Sequence, residues 1–289
     1  MVEKNNYGGL PLEYSSYENS KIVILPIPYD KTSTWIKGAD KGPDAIIEAS
    51  ANMELYDIET DSEVCMQGIF TDDPINSNLA PEIMVEKVKA NVKNHLNQNK
   101  FVVSIGGEHS VSAGTIYAHT KKYSDICVLQ LDAHSDMRDS YEGSKYNHAC
   151  VMARAKEKCP VIQVGIRSMD SSEKENLDEK NVFFARTIRS DDDWMNKVIS
   201  RLSNNVYLTI DLDAFDPSIM PSTGTPEPGG LLWYETLELI KKVVEQKNLV
   251  GFDVVELCPN KMNKAPDFLA AKLIYKILSY KFKKGENNE

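Results

Sequence analysis

Short, unbroken apolar runs recur along this chain, and longer amphipathic segments separate them. Residues 21–29 (KIVILPIPY), 101–105, 126–131 (ICVLQL), 161–164, 181–185, 206–210 and 249–255 each read as a strand. Runs this rich in Val, Ile and Leu, with no polar alternation, suit strands buried on both faces. The intervening segments carry the helical period. Residues 44–50 follow Pro43, which suits a first helical turn. Pro81 opens a second helix, where Val85, Val88, Val92 and Leu96 recur at spacings of three, four and four. Further helices are predicted at 110–120, 194–202, 236–246 and 266–280. This alternation predicts a parallel sheet covered by helices on both sides. Residues 1–20 read as a polar arm or edge segment, 51–78 as irregular, and the end of the chain as a Lys-rich tail. Neither an internal repeat nor a flexible linker interrupts the pattern, so residues 1–289 are expected to form a single domain.

Charge narrows the partners. Lys plus Arg number 33 against 43 Asp plus Glu, a formal net charge of −10. Nucleic acid and anionic membrane surfaces need a concentrated positive field, so both are disfavoured. No apolar run approaches the ~20 residues that cross a bilayer, and the N-terminus lacks the apolar core of a signal peptide. The five cysteines are scattered and odd in number, without a CxxC pair. A disulfide framework or thiolate zinc site is therefore not expected, and a reducing cytoplasm is the simplest location.

Acids and histidines cluster just after the apolar runs. VVSIGGEHS places His109 beyond one strand, CVLQLDAHSD places Asp132, His134 and Asp136 beyond another, and YLTIDLDAFD places Asp211, Asp213 and Asp216 beyond a third. In an open parallel sheet the C-terminal strand ends form the ligand crevice, so these groups are expected to converge. Residues two apart share a face of a strand, which pairs Asp132 with His134 and Asp211 with Asp213. Four buried carboxylates would repel one another, and divalent cations relieve that conflict. Carboxylate plus imidazole suits Mn²⁺, Zn²⁺, Fe²⁺, Co²⁺ or Ni²⁺, and this many donors suits two ions. A mononuclear site or a structural polar network are the alternatives. Gly106 and Gly107 lack the rest of a phosphate-loop pattern, and they read as a tight turn that aims His109. Cys150 and Cys258 have no dedicated base close by and read as packing residues. His95 and His119 read as helix-surface histidines.

GGEHS at 106–110, DAHSD at 132–136, DLDAFDPS at 211–218 and VVELCP at 254–259 together resemble the ureohydrolase family of arginases, agmatinases and guanidino-acid hydrolases. GADKGPDAI and TGTPEPGGL extend the resemblance. It implies a three-layer α/β/α sandwich with a mostly parallel eight-stranded sheet, and two Mn²⁺ per subunit. His109 and Asp136 would hold the first ion, His134 and Asp213 the second, with Asp132 and Asp211 bridging. A metal-bridging hydroxide, hydrogen-bonded to Asp136, would attack the guanidinium carbon and release urea and a primary amine. Glu256 would orient the guanidinium, and His148 would move protons or contact the intermediate. Homo-oligomers, as trimers or hexamers, are also implied.

The loop DAHSDMRDSYEGSKYNHAC departs from the arginase pattern and looks like agmatinase, as does TPEPGG at 225–230. Agmatine, cleaved to urea and putrescine, is therefore the expected substrate. N1-aminopropylagmatine comes next, then arginine or 4-guanidinobutyrate. An inactive polyamine-binding relative is a further alternative, for which an incomplete ligand set would speak. Glu142, Asp170, Glu173 and Glu227 are candidates to read the substrate's distal amine, although exposed surface acids would look the same. Arg138 and Tyr141 are expected to order the loop, with attraction of a substrate carboxylate as the other role for Arg138.

Overall fold

The structure, a computed structural model, describes residues 5–283; residues 1–4 and the end of the Lys-rich tail, 284–289, lie outside the described residues. Eight strands form one sheet: β1 (Ile22–Ile27), β2 (Ile69–Thr71), β3 (Phe101–Gly106), β4 (Ile126–Leu131), β5 (Val161–Ile166), β6 (Val182–Phe184), β7 (Asn205–Asp211) and β8 (Asn248–Val255). Their order across the sheet is β2-β1-β3-β8-β7-β4-β5-β6. Every neighbouring pair is parallel.

The helices are α1 (Leu12–Ser15), α2 (Gly42–Ser50), α3 (Pro81–Asn97), α4 (Ser112–Lys122), α5 (Val151–Lys156), α6 (Ala185–Ile188), α7 (Trp194–Arg201), α8 (Trp233–Gln246) and α9 (Ala265–Lys281). Helices α2, α7, α8 and α9 cover one face of the sheet, and α3, α4 and α5 cover the other. Strand side chains feed both layers in alternation. In β4, Cys127, Leu129 and Leu131 pack toward α7 and α8, while Ile126 and Val128 pack toward α4 and α5. The result is the expected α/β/α sandwich. No described helix is long and apolar enough to cross a membrane.

Three local features differ from the sequence expectation. Strand β2 lies within the stretch expected to be irregular; it is three residues long and sits at the sheet edge, too short to carry a periodic signal. Within the N-terminal segment, Tyr7 and Leu10 are buried, and the Tyr7 hydroxyl donates to the Ala271 carbonyl at 2.7 Å. Both helical histidines are buried rather than on the surface. His95 meets the Tyr17 hydroxyl at 3.1 Å and Asp72 at 3.0 Å.

His119 lies under β8, where a Cβ on Gly251 would come within 2.3 Å of its Nε2. Its Nδ1–H donates to the Thr115 carbonyl at 2.8 Å. Burial pushes its pKa down to about 4. Below the ordinary 6.5 the unfolded chain takes up this proton first, so stability is complete above about pH 6.5 and is lost as the pH falls toward 4. The gap is worth about 3 kcal/mol. Urea denaturation between about pH 7 and pH 4 should show a loss of roughly that size in the wild type that His119→Gln lacks. Equal losses in the two proteins would show that His119 does not carry the effect.

Candidate metal centre

Strands β3, β8, β7 and β4 are adjacent at the middle of the sheet. Because they run in parallel, their C-terminal ends open on one crevice. His109 follows β3; Asp132, His134 and Asp136 follow β4; Asp211 ends β7, with Asp213 two residues on; Glu256 follows β8. The convergence expected from strand-end position is therefore met by strand order.

His109 Nδ1 lies 3.1 Å from Asp132 Oδ2, 3.0 Å from Asp136 Oδ2 and 3.4 Å from Asp211 Oδ2. His134 Nδ1 lies 2.9 Å from Asp213 Oδ2 and 3.7 Å from Asp132 Oδ1. Asp132 thus turns one oxygen toward each histidine. Two groups of donors, His109–Asp132–Asp211 and Asp132–His134–Asp213, each lie within 4.8 Å. They form a binuclear metal-binding cluster with Asp132 common to both, and Asp136 joins the first group through His109.

The donor set fits cations. His109 Nδ1 is buried with no hydrogen-bond partner, as expected of a lone pair kept for a metal. Burial, with Asp132 alongside, raises Asp136 to about 7, and burial with Asp213 and Asp132 raises Asp211 well above the carboxylate range. Burial opposes a charge on His134 as well, yet Asp213 and Asp132 raise its pKa to about 12. The crevice therefore demands positive charge, which divalent ions supply more compactly than protons.

Two residues that line the crevice hold left-handed backbone, Asp136 at φ 52° and Glu256 at φ 68°. That conformation costs a non-glycine residue about 1–2 kcal/mol, and here each turn directs a carboxylate into the crevice. The Glu256 N–H donates to the Gly107 carbonyl at 2.7 Å, and Glu256 Oε1 accepts from the His109 N–H at 2.7 Å. A Cβ on Gly107 would sit 2.1 Å from the Tyr29 carbonyl. The glycine is thus required by the close crossing of chains beside His109. Burial, then the neighbouring Glu108 carboxylate, raises the Glu256 pKa well above its ordinary value.

His148 lies across the crevice and is tethered by residues that carry no sequence motif of their own. Thr32 Oγ1 donates to Glu108 Oε1 at 2.6 Å and accepts from the His148 N–H at 3.0 Å. Glu108 is fully buried and also accepts from the backbone of Thr32 and Ser33 and from Ser110 Oγ. The Thr32 proton being given to Glu108, the contact of 3.1 Å from Thr32 Oγ1 to His148 Nδ1 has the imidazole as donor. Nε2 is then the free base. Burial, with His109 and His134 nearby, lowers the His148 pKa to about 4.

The four acids proposed to read a substrate tail lie in different surroundings. Glu142 is exposed in a tight turn at φ 48°, away from the cavity lining. Glu173 lines the cavity but is buried, accepting from Ser135 Oγ, from the Met137 N–H at 2.9 Å and from the Asp170 N–H at 2.8 Å. Asp170 also lines the cavity and is half exposed; Oδ1 caps Ser172, and Oδ2 faces Arg138 at 3.7 Å. Glu227 lies 3.9 Å from His134 Nε2, outside the cavity lining. Arg138 stacks on Tyr141 at 4.6 Å and faces Glu173 at 3.7 Å. Burial raises the Cys150 and Cys258 thiols to about 11 and 12, so neither is a thiolate at neutral pH.

Arg167, in the GIRS segment, carries a role that sequence did not reveal. Its guanidinium donates to the carbonyls of Asp213 at 2.6 Å, Glu227 at 2.8 Å and Gly165 at 3.0 Å. It pins the loop after β7 against β5. Only backbone acceptors are involved, so no side-chain pattern could have marked it.

The crevice opens into a cavity of about 310 Å³. His109, His134, Asp136, Asp211, Asp213 and Glu256 line it, as do Trp35, Ile36 and Met169. An eight-stranded α/β/α sandwich with a binuclear carboxylate–histidine cluster at its central strand ends defines the ureohydrolase fold with its candidate metal site. The chain belongs to the arginase family, which it matches over residues 20–279. It is 41% identical over 277 residues to the N(1)-aminopropylagmatine ureohydrolase of Synechocystis sp., covering 92% of this chain and 90% of the relative. The N(1)-aminopropylagmatine ureohydrolase of Thermus thermophilus is 36% identical over 270 residues, with 92% of each chain covered. Among solved structures, the agmatine ureohydrolase of Thermoplasma volcanium superposes with a TM-score of 0.88 at 31% identity, covering 98% of this chain and 96% of that one.

Proposed function

We propose that this protein hydrolyses the guanidino group of N1-aminopropylagmatine, releasing urea and a triamine, with two Mn²⁺ ions per subunit. The reaction class rests on one observation: two donor groups sharing Asp132 lie beside Glu256 at one cavity. Held there, the two ions would lower the pKa of water toward neutrality and supply a nucleophile. Glu256 orients the cationic guanidinium through its carboxylate. Asp136 holds a proton beside the nucleophile. His148 Nε2, bare at neutral pH, first takes up a proton from the attacking water and then passes it to the leaving amine, as C–N cleavage requires.

The substrate differs from the agmatine expected from sequence. The two relatives with 41% and 36% identity carry the aminopropylagmatine name. The cavity suits a tail that continues outward, since Trp35 is 69% exposed along its lining. Arg138 faces Asp170 and Glu173 and stacks on Tyr141, which leaves little uncompensated charge for the carboxylate of arginine or 4-guanidinobutyrate. Agmatine is the second reading, favoured by the structural likeness to an agmatine ureohydrolase.

Urea release from aminopropylagmatine, agmatine, arginine and 4-guanidinobutyrate by Mn²⁺-loaded protein tests the proposal. Aminopropylagmatine should have the highest kcat/KM. Faster turnover of agmatine would establish the second reading, and no urea from any of the four would overturn both.

The Thr32 tether makes a separate expectation. Thr32→Val removes the hydroxyl that holds both the His148 N–H and Nδ1 and should lower kcat about tenfold or more, with KM little changed. Thr32→Ser should restore turnover. Steady-state kinetics of the two variants check this, and an unaltered kcat in Thr32→Val would remove the tether from the mechanism.

A further inference from the structure

We propose that Asp253 and Thr209 form a positioning relay that fixes the ring of His109 and thereby sets the affinity for the ion that His109 holds. The inference rests on the cluster being a metal centre. Asp253 lies within β8 and is fully buried. Its Oδ1 accepts from Thr209 Oγ1 at 2.6 Å and its Oδ2 from the Tyr207 hydroxyl at 2.6 Å, while Thr115 Oγ1, 3.2 Å from Oδ2, has its proton on the Ser112 carbonyl at 2.8 Å. None of these partners is a cation. A carboxylate in the core costs several kcal/mol beside an apolar side chain of similar size. These hydroxyl donors offset that cost only in part, so its presence calls for a role.

The proton count supplies one. A threonine hydroxyl has a single proton, and Thr209 gives it to Asp253. Thr209 Oγ1 therefore accepts at its contact of 2.9 Å with His109 Nε2. The Nε2 atom must carry the ring proton, which leaves Nδ1 bare toward Asp132, Asp136 and Asp211. The relay selects the tautomer a metal needs and orients the ring, as carboxylates behind ligand histidines do.

His134 lacks such support. Its outward Nε2 is 3.9 Å from Glu227 Oε1, beyond hydrogen-bond reach, and its side chain is 26% exposed. One ligand histidine is thus anchored in the core and the other is not. The relay should act on one ion of the pair.

Metal content and Mn²⁺ titration of the full chain test this without reference to activity. Thr209→Val keeps the shape and removes the hydroxyl, Asp253→Asn removes the charge, and Thr209→Ser keeps the relay. Thr209→Val and Asp253→Asn should weaken one of two Mn²⁺ ions roughly 10–100-fold, and Thr209→Ser should bind like the wild type. In a His109→Ala background, Thr209→Val should cause no further loss, because a relay acts only through His109. Thermal melting of the metal-free proteins identifies any variant that fails to fold, and Asp253→Asn then carries the test in place of Thr209→Val. Wild-type affinity for both ions in Thr209→Val would overturn the relay. So would an equal loss with and without His109, which marks a general structural role. A wild type that binds no Mn²⁺ would instead overturn the metal-centre reading itself.

Discussion

Asp132→Ala is expected to abolish urea release and to empty both metal positions. The side chain is fully buried, and its two oxygens face the two histidines, so it serves both donor groups. Removing it deletes a ligand from each site and leaves Asp136 and Asp211 without the cations that offset their repulsion. Activity should fall by at least about 10³-fold, because nucleophile generation and charge stabilisation together are worth several kcal/mol. Metal analysis after dialysis should find fewer than one ion per chain. Asp211→Ala should behave in the same way. Retention of two ions in either variant would show that the shared-ligand geometry is not what holds the pair.

Glu256→Gln is expected to give the second largest loss, by a different route. The residue keeps its shape, and the amide oxygen can still accept from the His109 N–H. What it loses is the negative charge that would face the guanidinium in the proposed complex. Breaking a buried ion pair costs about 3–5 kcal/mol, so kcat/KM should fall about 10²–10³-fold while the metal content stays at two. Kinetics and metal analysis on one preparation separate the two effects. A variant that loses metal along with activity would assign Glu256 to the cluster rather than to the substrate.

Much of this site was legible along the chain because it is built at strand ends. An apolar run such as ICVLQL declares both a strand and its end. Acids and histidines spaced by two beyond that end share a face whatever the rest of the fold does. Asp132 with His134 and Asp211 with Asp213 are of this kind, and His109 lies just beyond another strand end. The α/β/α sandwich follows equally directly, since strands buried on both faces leave few alternatives.

The groups that hold those residues in place were not legible. Thr32 meets Glu108 across 76 residues and His148 across 116, and Thr209 meets His109 across 100. A lone threonine, whether in a loop like Thr32 or in a strand like Thr209, carries no sign of its hydrogen-bond partner. His119 looked like a helix-surface residue because its polarity was read without the sheet, where Gly251 makes room for it. The left-handed backbone at Asp136 and Glu256 and the close crossing of Gly107 and Tyr29 carry no local sequence signature. The acids Asp170, Glu173, Glu142 and Glu227 looked alike in sequence, yet Glu173 is buried, Asp170 is half exposed in the cavity lining, Glu142 is on the surface and Glu227 faces His134 from outside that lining.

The sequence by itself determined which side chains would reach the crevice, because strand periodicity and chain direction act locally. Tertiary structure decided which atoms of those side chains face the ions, the substrate or the core. That choice depends on hydrogen bonds between distant segments, and in a buried site each such bond selects one tautomer or one rotamer from several of similar local energy.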